Sequence, residues 1–252
     1  MDHHTRVDAL ARRLREAQSA IVLAGAGVST ESGIPDFRSA SSGLWEKHDP
    51  MEVASLEGFR RDPRRFYDFW TARFAALGEA RPNATHRVLA ALERAGIVSA
   101  VITQNVDGLH QDAGSARVLE VHGSVRRARC VECGMPSPRE LADERVRHGR
   151  VPVCPRCGGL VKPDVVLFGE DLPPVFVEAE QLARECAVLL VLGSSLEVHP
   201  VAGRVPEAKE AGAFIAIINR DPSRYDALAD IVIHAELGPT MTELAHALSI
   251  AV

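Results

Sequence analysis

Four short, predominantly apolar runs, each followed by small or polar residues, restrict the fold of this chain more than any other feature. They are 20–24 (AIVLA), 98–103, 188–193 and 214–219. A strand that is apolar on both faces must be covered on both, as in a parallel sheet sandwiched between helices. Residues 6–18 place Val7, Leu10, Leu14 and Ala17 at helical spacing immediately before the first run. Helix alternating with buried strand predicts an α/β fold with a doubly wound parallel sheet. At 252 residues the chain can bury such a core and still carry inserted modules. Ligands of doubly wound sheets bind beyond the carboxyl ends of the strands. Here those ends read GAGVS (25–29), TQNVD (103–107), GSS (193–195) and INR (218–220), and they predict a single polar crevice.

Two stretches interrupt the alternation. Residues 39–80 are rich in arginine and aromatics, and Phe59, Phe66, Tyr67, Phe69, Trp70 and Phe74 are spaced for short helices packed over the sheet. Most aromatics of this kind serve core packing. Residues 128–160 hold four of the five cysteines. The net charge of −5 and the lack of any long Lys/Arg run give no broad footprint for nucleic acid or an anionic membrane. The first fifteen residues are charged throughout, without the apolar core of a signal peptide, and no window approaches 18 uninterrupted apolar residues. A cytoplasmic location is the expectation, with Cys186 left as a lone thiol.

In that compartment Cys130-x-x-Cys133 and Cys154-x-x-Cys157 favour metal over disulfides. Each pair lies beside turn-forming residues (Gly134, Pro155, Gly158, Gly159). Four thiolates complete a zinc tetrahedron with no open position, which makes the metal structural. Two disulfides remain the alternative. Zinc ribbons also bind nucleic acid, and Arg126, Arg127 and Arg129 keep that use open. Gly25-Ala26-Gly27-Val28-Ser29 follows a buried strand, where glycines let backbone approach a pyrophosphate at a helix N-terminus. Thr30 stands where a dinucleotide fingerprint has its third glycine, so a plain strand-to-helix turn fits equally well. His122, in Glu120-Val121-His122-Gly123-Ser124, is a candidate general base by its titration range, although most histidines catalyse nothing. Asn105 and Asp107 can hold an amide or a ribose hydroxyl, or simply cap a turn.

Taken together, GAGVSTESGIPDFRS (25–39), TQNVDGLH (103–110), VHGS (121–124), the two Cys-x-x-Cys pairs, KPDVVLFGE (162–170), GSSLEVHP (193–200) and IINRDPS (217–223) resemble the sirtuin family, in that family's order and over most of the chain. The resemblance implies a bacterial-type single catalytic domain over 1–252. It would have a Rossmann-like large lobe (about 1–38, 81–127 and 161–252), a helical insertion (about 39–80) and a zinc module (about 128–160). It implies an NAD-dependent protein-lysine deacylase that transfers the acyl group to ADP-ribose, releasing nicotinamide and O-acyl-ADP-ribose, with NAD as co-substrate and one structural zinc ion. On this analogy Gly25, Ala26, Gly27 and Ser29 contact the NAD phosphates, and Gly193, Ser194 and Ser195 bracket them. Asn219 holds the adenosine ribose, and Asp36, Phe37 and Arg38 cover the nicotinamide ribose. Gln104, Asn105 and Asp107 bind that ribose and orient the carboxamide, with Asn105 counted as catalytic. His122 is the general base that draws a proton through the ribose hydroxyls. An extended acyl-lysine peptide adds between 166–170 and 195–198. The substrate-binding residues implied are Val165, Val166, Phe168, Gly169, Glu170, Leu196 and Val198, and Val165, Phe168 and Val198 are candidates for the acyl tunnel or for ordinary core.

One departure bears on substrate. Family members that remove succinyl or malonyl groups share a Tyr-x-x-Arg pair, whereas this chain reads Tyr67-Asp68-Phe69-Trp70. Acetyl and longer apolar acyl groups are therefore expected, with Arg73, one turn on, a poor geometric substitute. Partners are expected to be acyl-lysine proteins, without nucleic acid or membrane, and the chain to be a monomer. Two other readings stand: mono-ADP-ribosylation of protein by the same NAD residues, and a non-catalytic NAD-sensing or nucleic-acid-binding zinc module. An ordinary dehydrogenase is disfavoured because no acidic residue closes a standard fingerprint after the second strand.

Overall fold

The computed structural model describes residues 1–37, 44–46 and 48–252. Helix α1 (His3–Glu16) begins earlier than its apolar periodicity, because the Asp2 carboxylate accepts from Thr5 N at 2.8 Å and caps a polar first turn. It leads into β1 (Ala20–Ala24), buried at every position. The other apolar runs form β2 (Ala100–Thr103), β7 (Val188–Leu192) and β8 (Phe214–Ile218). Two three-residue strands, β3 (Val118–Glu120) and β9 (Ile231–Ile233), complete the sheet at its edges.

All six strands are parallel, in the order β3-β2-β1-β7-β8-β9. Numbered by their order within this sheet, they run 3-2-1-4-5-6, the Rossmann order, and the winding reverses between β1 and β7. Ala24 pairs with Thr103 on one side and with Leu192 on the other. The three central strands therefore end level, and the polar segments that follow them meet. Helices α1, α5 (Ala84–Arg94) and α10 (Leu237–Ala247) pack Leu10, Leu14, Leu89, Leu92, Met241 and Leu244 against Val22, Ala24, Leu190 and Leu192. On the opposite face α8 (Val175–Glu185) and α9 (Arg204–Glu210) pack Ala179, Ala183, Val205 and Ala208 against Ile21, Leu23, Leu189 and Val191. Consecutive strand residues thus enter two different cores, which is why the runs are apolar without alternation.

A second sheet is antiparallel, in the order β5-β4-β6: β4 (Gly123–Cys130), β5 (Pro136–Ser137) and β6 (Val161–Val165), with α7 (Arg139–Arg147) against it. The helical insertion comprises α2 (Pro50–Val53), α3 (Leu56–Arg61) and α4 (Pro63–Glu79). Its aromatics do not cover the main sheet as expected. Phe59, Phe66 and Tyr67 cluster with Val131, Val146, Leu160, Val165 and Leu167, on the cysteine-bearing module. The reason is that both faces of the main sheet are already filled by α1, α5, α10, α8 and α9. The short helix α6 (Leu109–Asp112) follows β2. No helix among the described residues is long and apolar enough to cross a membrane.

Candidate active site at the switch point of the sheet

The loops after β1 and β7 touch backbone to backbone. A Cβ on Gly25 would lie 2.6 Å from Gly193 O, one on Gly27 2.8 Å from Gly193 Cα, and one on Gly193 2.5 Å from Val28 N. Gly193 also has φ 58°, and Gly27 N donates to Gly193 O at 2.8 Å. The glycines are thus required by the approach of the two loops to each other. The helix expected after Gly25 is a 3₁₀ helix, Ala26–Ser32.

A buried polar chain runs beneath this junction. Asn105 Nδ2 donates to Gly25 O and to Ser29 Oγ, both at 3.1 Å, and Ser29 Oγ donates to Asp107 Oδ2 at 2.7 Å. Asp107 Oδ1 accepts from Leu109 N at 2.9 Å, and Gln104 Nε2 donates to Ser194 Oγ at 3.1 Å. These bonds tie the ends of β1, β2 and β7 into one floor. His122 Nδ1 lies 3.2 Å from Gln104 O, which can only accept a hydrogen bond. Nδ1 is therefore the protonated nitrogen of the neutral ring, and Nε2 carries the basic lone pair. Behind the floor, His86 and His110 stack edge to face at 4.8 Å, and burial lowers the pKa of both.

Above the floor opens a cleft of about 1190 Å³. Its lining includes Gly25, Ala26, Gly27, Ser29, Asp36, Phe37, Gln104, Asn105, Asp107, His122, Gly193, Ser194, Ser195 and Asn219. Arg38 lies outside the described residues. Phe37 stacks on Trp45, centroids 5.1 Å apart. Val165, Val166, Phe168, Gly169, Glu170 and Val198 also line the cleft. Leu196 does not: its side chain is buried in the core cluster beneath α8 and α9, and with φ 58° it turns the chain so that its neighbours face the opening. Val166 N donates to His122 O at 2.9 Å, so the 166–170 segment is attached directly to the histidine's own backbone. The motifs did not mark Trp70, Arg73, Glu31 and Leu237 as lining residues, although all four face the cleft. They come from α4, from the 3₁₀ helix and from the start of α10; Trp70 and Arg73 had a signal in the Tyr-x-x-Arg comparison, whereas Leu237 had none.

The four cysteine sulfurs converge. Cys130 Sγ lies 3.6 Å from Cys157 Sγ, and Cys133 Sγ lies 3.8 Å from Cys154 Sγ and 3.5 Å from Cys157 Sγ. A tetrahedron with metal–sulfur bonds of about 2.3 Å has edges of roughly 3.8 Å, whereas a disulfide needs about 2.05 Å. The set fits zinc and no pair within it is a disulfide. Both knuckles are built alike: Gly134 N donates to Cys130 O at 3.1 Å and Gly158 N to Cys154 O at 2.9 Å, with φ of 68° and 73° at the glycines.

A family model described as the Sir2 family matches residues 25–200, which run from the first glycine of the β1 loop through the GSSLEVHP segment. The chain belongs to the Sir2 family. Among its sirtuin relatives, an NAD-dependent protein deacylase of Aeropyrum pernix is 46% identical over 241 residues, covering 95% of this chain and 94% of the relative. An NAD-dependent protein deacetylase 1 of Geobacillus kaustophilus is 45% identical over 234 residues, covering 92% and 94%. A solved structure described as the basis for the mechanism and regulation of Sir2 enzymes superposes with a TM-score of 0.90 at 43% identity, over 97% of this chain and 98% of that one. A Sir2 structure with a deacetylated peptide and 3'-O-acetyl-ADP-ribose gives 0.92 at 33% identity, over 97% and 99%.

In this sirtuin the residues at the Tyr-x-x-Arg position take definite places. Tyr67 is buried and its hydroxyl donates to Val161 O at 2.7 Å, so it is committed to the fold of the small lobe. Trp70 Nε1 donates to Val53 O at 2.6 Å and its ring stacks on Phe74 at 5.5 Å. The arginines beside the first cysteine pair are matched by carboxylates: Arg126 by Asp112, Arg127 by Glu120 and Asp164, and Arg129 by Asp164 and Glu170.

Proposed function

We infer that this protein is an NAD-dependent protein-lysine deacylase whose reaction takes place where the β1, β2 and β7 loops meet. The observation that carries the reading is the orientation of His122: its Nδ1 donates to Gln104 O beside the buried Asn105–Ser29–Asp107 chain, and the 166–170 segment hangs from its carbonyl. The donor set fits a dinucleotide, with glycine-walled loops at the switch point for the phosphates and amide and carboxylate groups for ribose and carboxamide. Bound NAD supplies the ribosyl carbon that accepts the acyl oxygen, and nicotinamide as leaving group.

The chain's own groups do the rest. Asn105 and Asp107, held by four hydrogen bonds to Gly25 O, Ser29 Oγ and Leu109 N, present a fixed polar surface to the nicotinamide ribose. His122 Nε2 accepts the proton of a ribose hydroxyl, and the Gln104 carbonyl fixes the tautomer that makes this possible. Phe37, braced on Trp45, shields the reacting face from water. The acyl-lysine peptide extends along 166–170 and 195–198, with Val165, Phe168 and Val198 around its acyl stem. With Tyr67 committed to Val161 and tryptophan at position 70, acetyl and apolar acyl groups are the preferred substrates. The ion-paired arginines on the zinc module support a structural role for the metal over nucleic-acid binding, and we propose that the protein works as a monomer in the cytoplasm. The test is mass spectrometry of peptide and nucleotide products after incubation with an acetyl-lysine peptide, with and without NAD. Deacetylated peptide together with O-acetyl-ADP-ribose, only with NAD, supports the reading. ADP-ribose on protein with no peptide turnover overturns it in favour of a transferase.

A further inference from the structure

Lys162, one of only three lysines in the chain, is completely buried at the start of β6. An ammonium in such a place is sustained only by full pairing. Its three N–H groups have three acceptors: Glu170 at 2.9 Å, Val165 O at 2.5 Å and Pro163 O at 3.3 Å. The same Glu170 oxygen that meets Lys162 also accepts from Leu167 N at 2.8 Å, and Glu170 N donates back to Leu167 O at 3.0 Å. The pair therefore draws the segment after β6 into a closed turn.

That turn is suspended between the two lobes. Val166 N donates to His122 O at 2.9 Å on the large-lobe side. Phe168 N donates to Ala54 O, and Phe168 O accepts from Leu56 N, both at 2.9 Å, on the helical insertion. The bonds that close the turn on itself run through Glu170, and Glu170 is held by Lys162, with Arg129 at 3.5 Å on its other oxygen. Lys162 does not line the cleft, while Val166, Leu167, Phe168, Gly169 and Glu170 do.

We propose that Lys162 is a positioning residue for the acyl-peptide: through Glu170 it holds the 166–170 turn in the shape that receives the substrate backbone, without touching substrate or NAD. This rests on the deacylase reading for its consequence in kinetics, and on the geometry alone for its consequence in the turn. A preshaped turn lowers the ordering cost of binding an extended peptide, so its loss appears as weaker peptide binding. It leaves the NAD floor, built from β1, β2 and β7, unchanged.

The test uses the full zinc-loaded chain with Lys162→Met, which leaves every cleft residue in place and Glu170 its Arg129 partner, and with Lys162→Arg, which keeps a cation beside Glu170. The expected result has three parts: in Lys162→Met the KM for an acetyl-lysine peptide rises about tenfold or more, with KM for NAD and kcat within about twofold; amide exchange at Leu167 and Phe168 accelerates by about tenfold or more; and Lys162→Arg recovers most of the native peptide KM. Peptide KM and amide exchange that both match the native protein overturn the proposal. So does a parallel rise of both KM values alongside a fall in the thermal midpoint, which marks a purely structural pair. If the native protein turns over no peptide, the deacylase reading fails, and amide exchange at 167–168 still decides whether Lys162 holds the turn.

Discussion

Replacing Gly193 by alanine tests the idea that the nucleotide site is shaped by contact between two loops. At φ 58° a side chain costs about 1–2 kcal/mol. The new Cβ would also lie 2.5 Å from Val28 N and 2.7 Å from Gly27 C, both rigid backbone atoms, so the loops must separate by close to an ångström. That movement breaks the 2.8 Å bond from Gly27 N to Gly193 O, worth about 1 kcal/mol. The total is about 2–3 kcal/mol, or roughly 4–12 °C in thermal midpoint for a chain of this length. Gly212 supplies the control: it has φ 93° but nothing within 4 Å of its would-be Cβ, so its alanine variant carries the backbone cost alone, about 1–2 kcal/mol, without the loop separation or the lost hydrogen bond. Because Ser29 and Asn105 are bonded across the same junction, Gly193→Ala should also weaken NAD binding by about tenfold or more, while Gly212→Ala leaves it unchanged. Thermal unfolding and calorimetric NAD titration measure both. Equal loss of stability in the two variants with unaltered NAD affinity would refute the reasoning.

Chelation or Cys133→Ser should release the metal and melt the small lobe, seen as loss of helical signal and of peptide binding, while NAD binding persists on the large lobe. Tyr67→Phe leaves Val161 O without its partner and should cost about 1–3 kcal/mol, yet leave the ratio of succinyl to acetyl peptide turnover unaltered, as measured by competition assay. His86 and His110 stay neutral in the folded protein because burial lowers their pKa, whereas the unfolded chain protonates them below about pH 6.5. Stability should therefore fall as pH drops below that value, and His86→Gln should reduce the slope of unfolding free energy against pH by about one proton.

The parts of the fold that were legible are those whose chemistry is local. β1, β7 and β8 are apolar on both faces because each strand feeds two cores, and that pattern survives without knowing the partners. β3 and β9 are three residues long at the sheet edges, too short for any periodicity to register. β4 was hidden in GSVRRARC because three of its residues are arginines that pair with carboxylates elsewhere in the chain, and because its register shifts between Ser124 and Ala128. The aromatic insertion was read as helical, but its destination on the cysteine module depended on long-range packing that spacing does not encode. At the site, the strand-end motifs converged because parallel strands in level register bring their carboxyl ends together. Leu237 belongs to no motif and enters only through the way the chain closes over the cleft, while Glu31, Trp70 and Arg73 stood in or beside motifs that did not mark them as lining it.

The central claim, that His122 serves as a base after nicotinamide has left, is tested most directly by following nicotinamide release and O-acyl-ADP-ribose formation in one reaction, for the native protein and for His122→Ala. The account predicts that the native protein forms both and that the variant still releases nicotinamide in the presence of acetyl-peptide but forms O-acyl-ADP-ribose at least about a hundredfold more slowly. Equal production of O-acyl-ADP-ribose by the two proteins would contradict it.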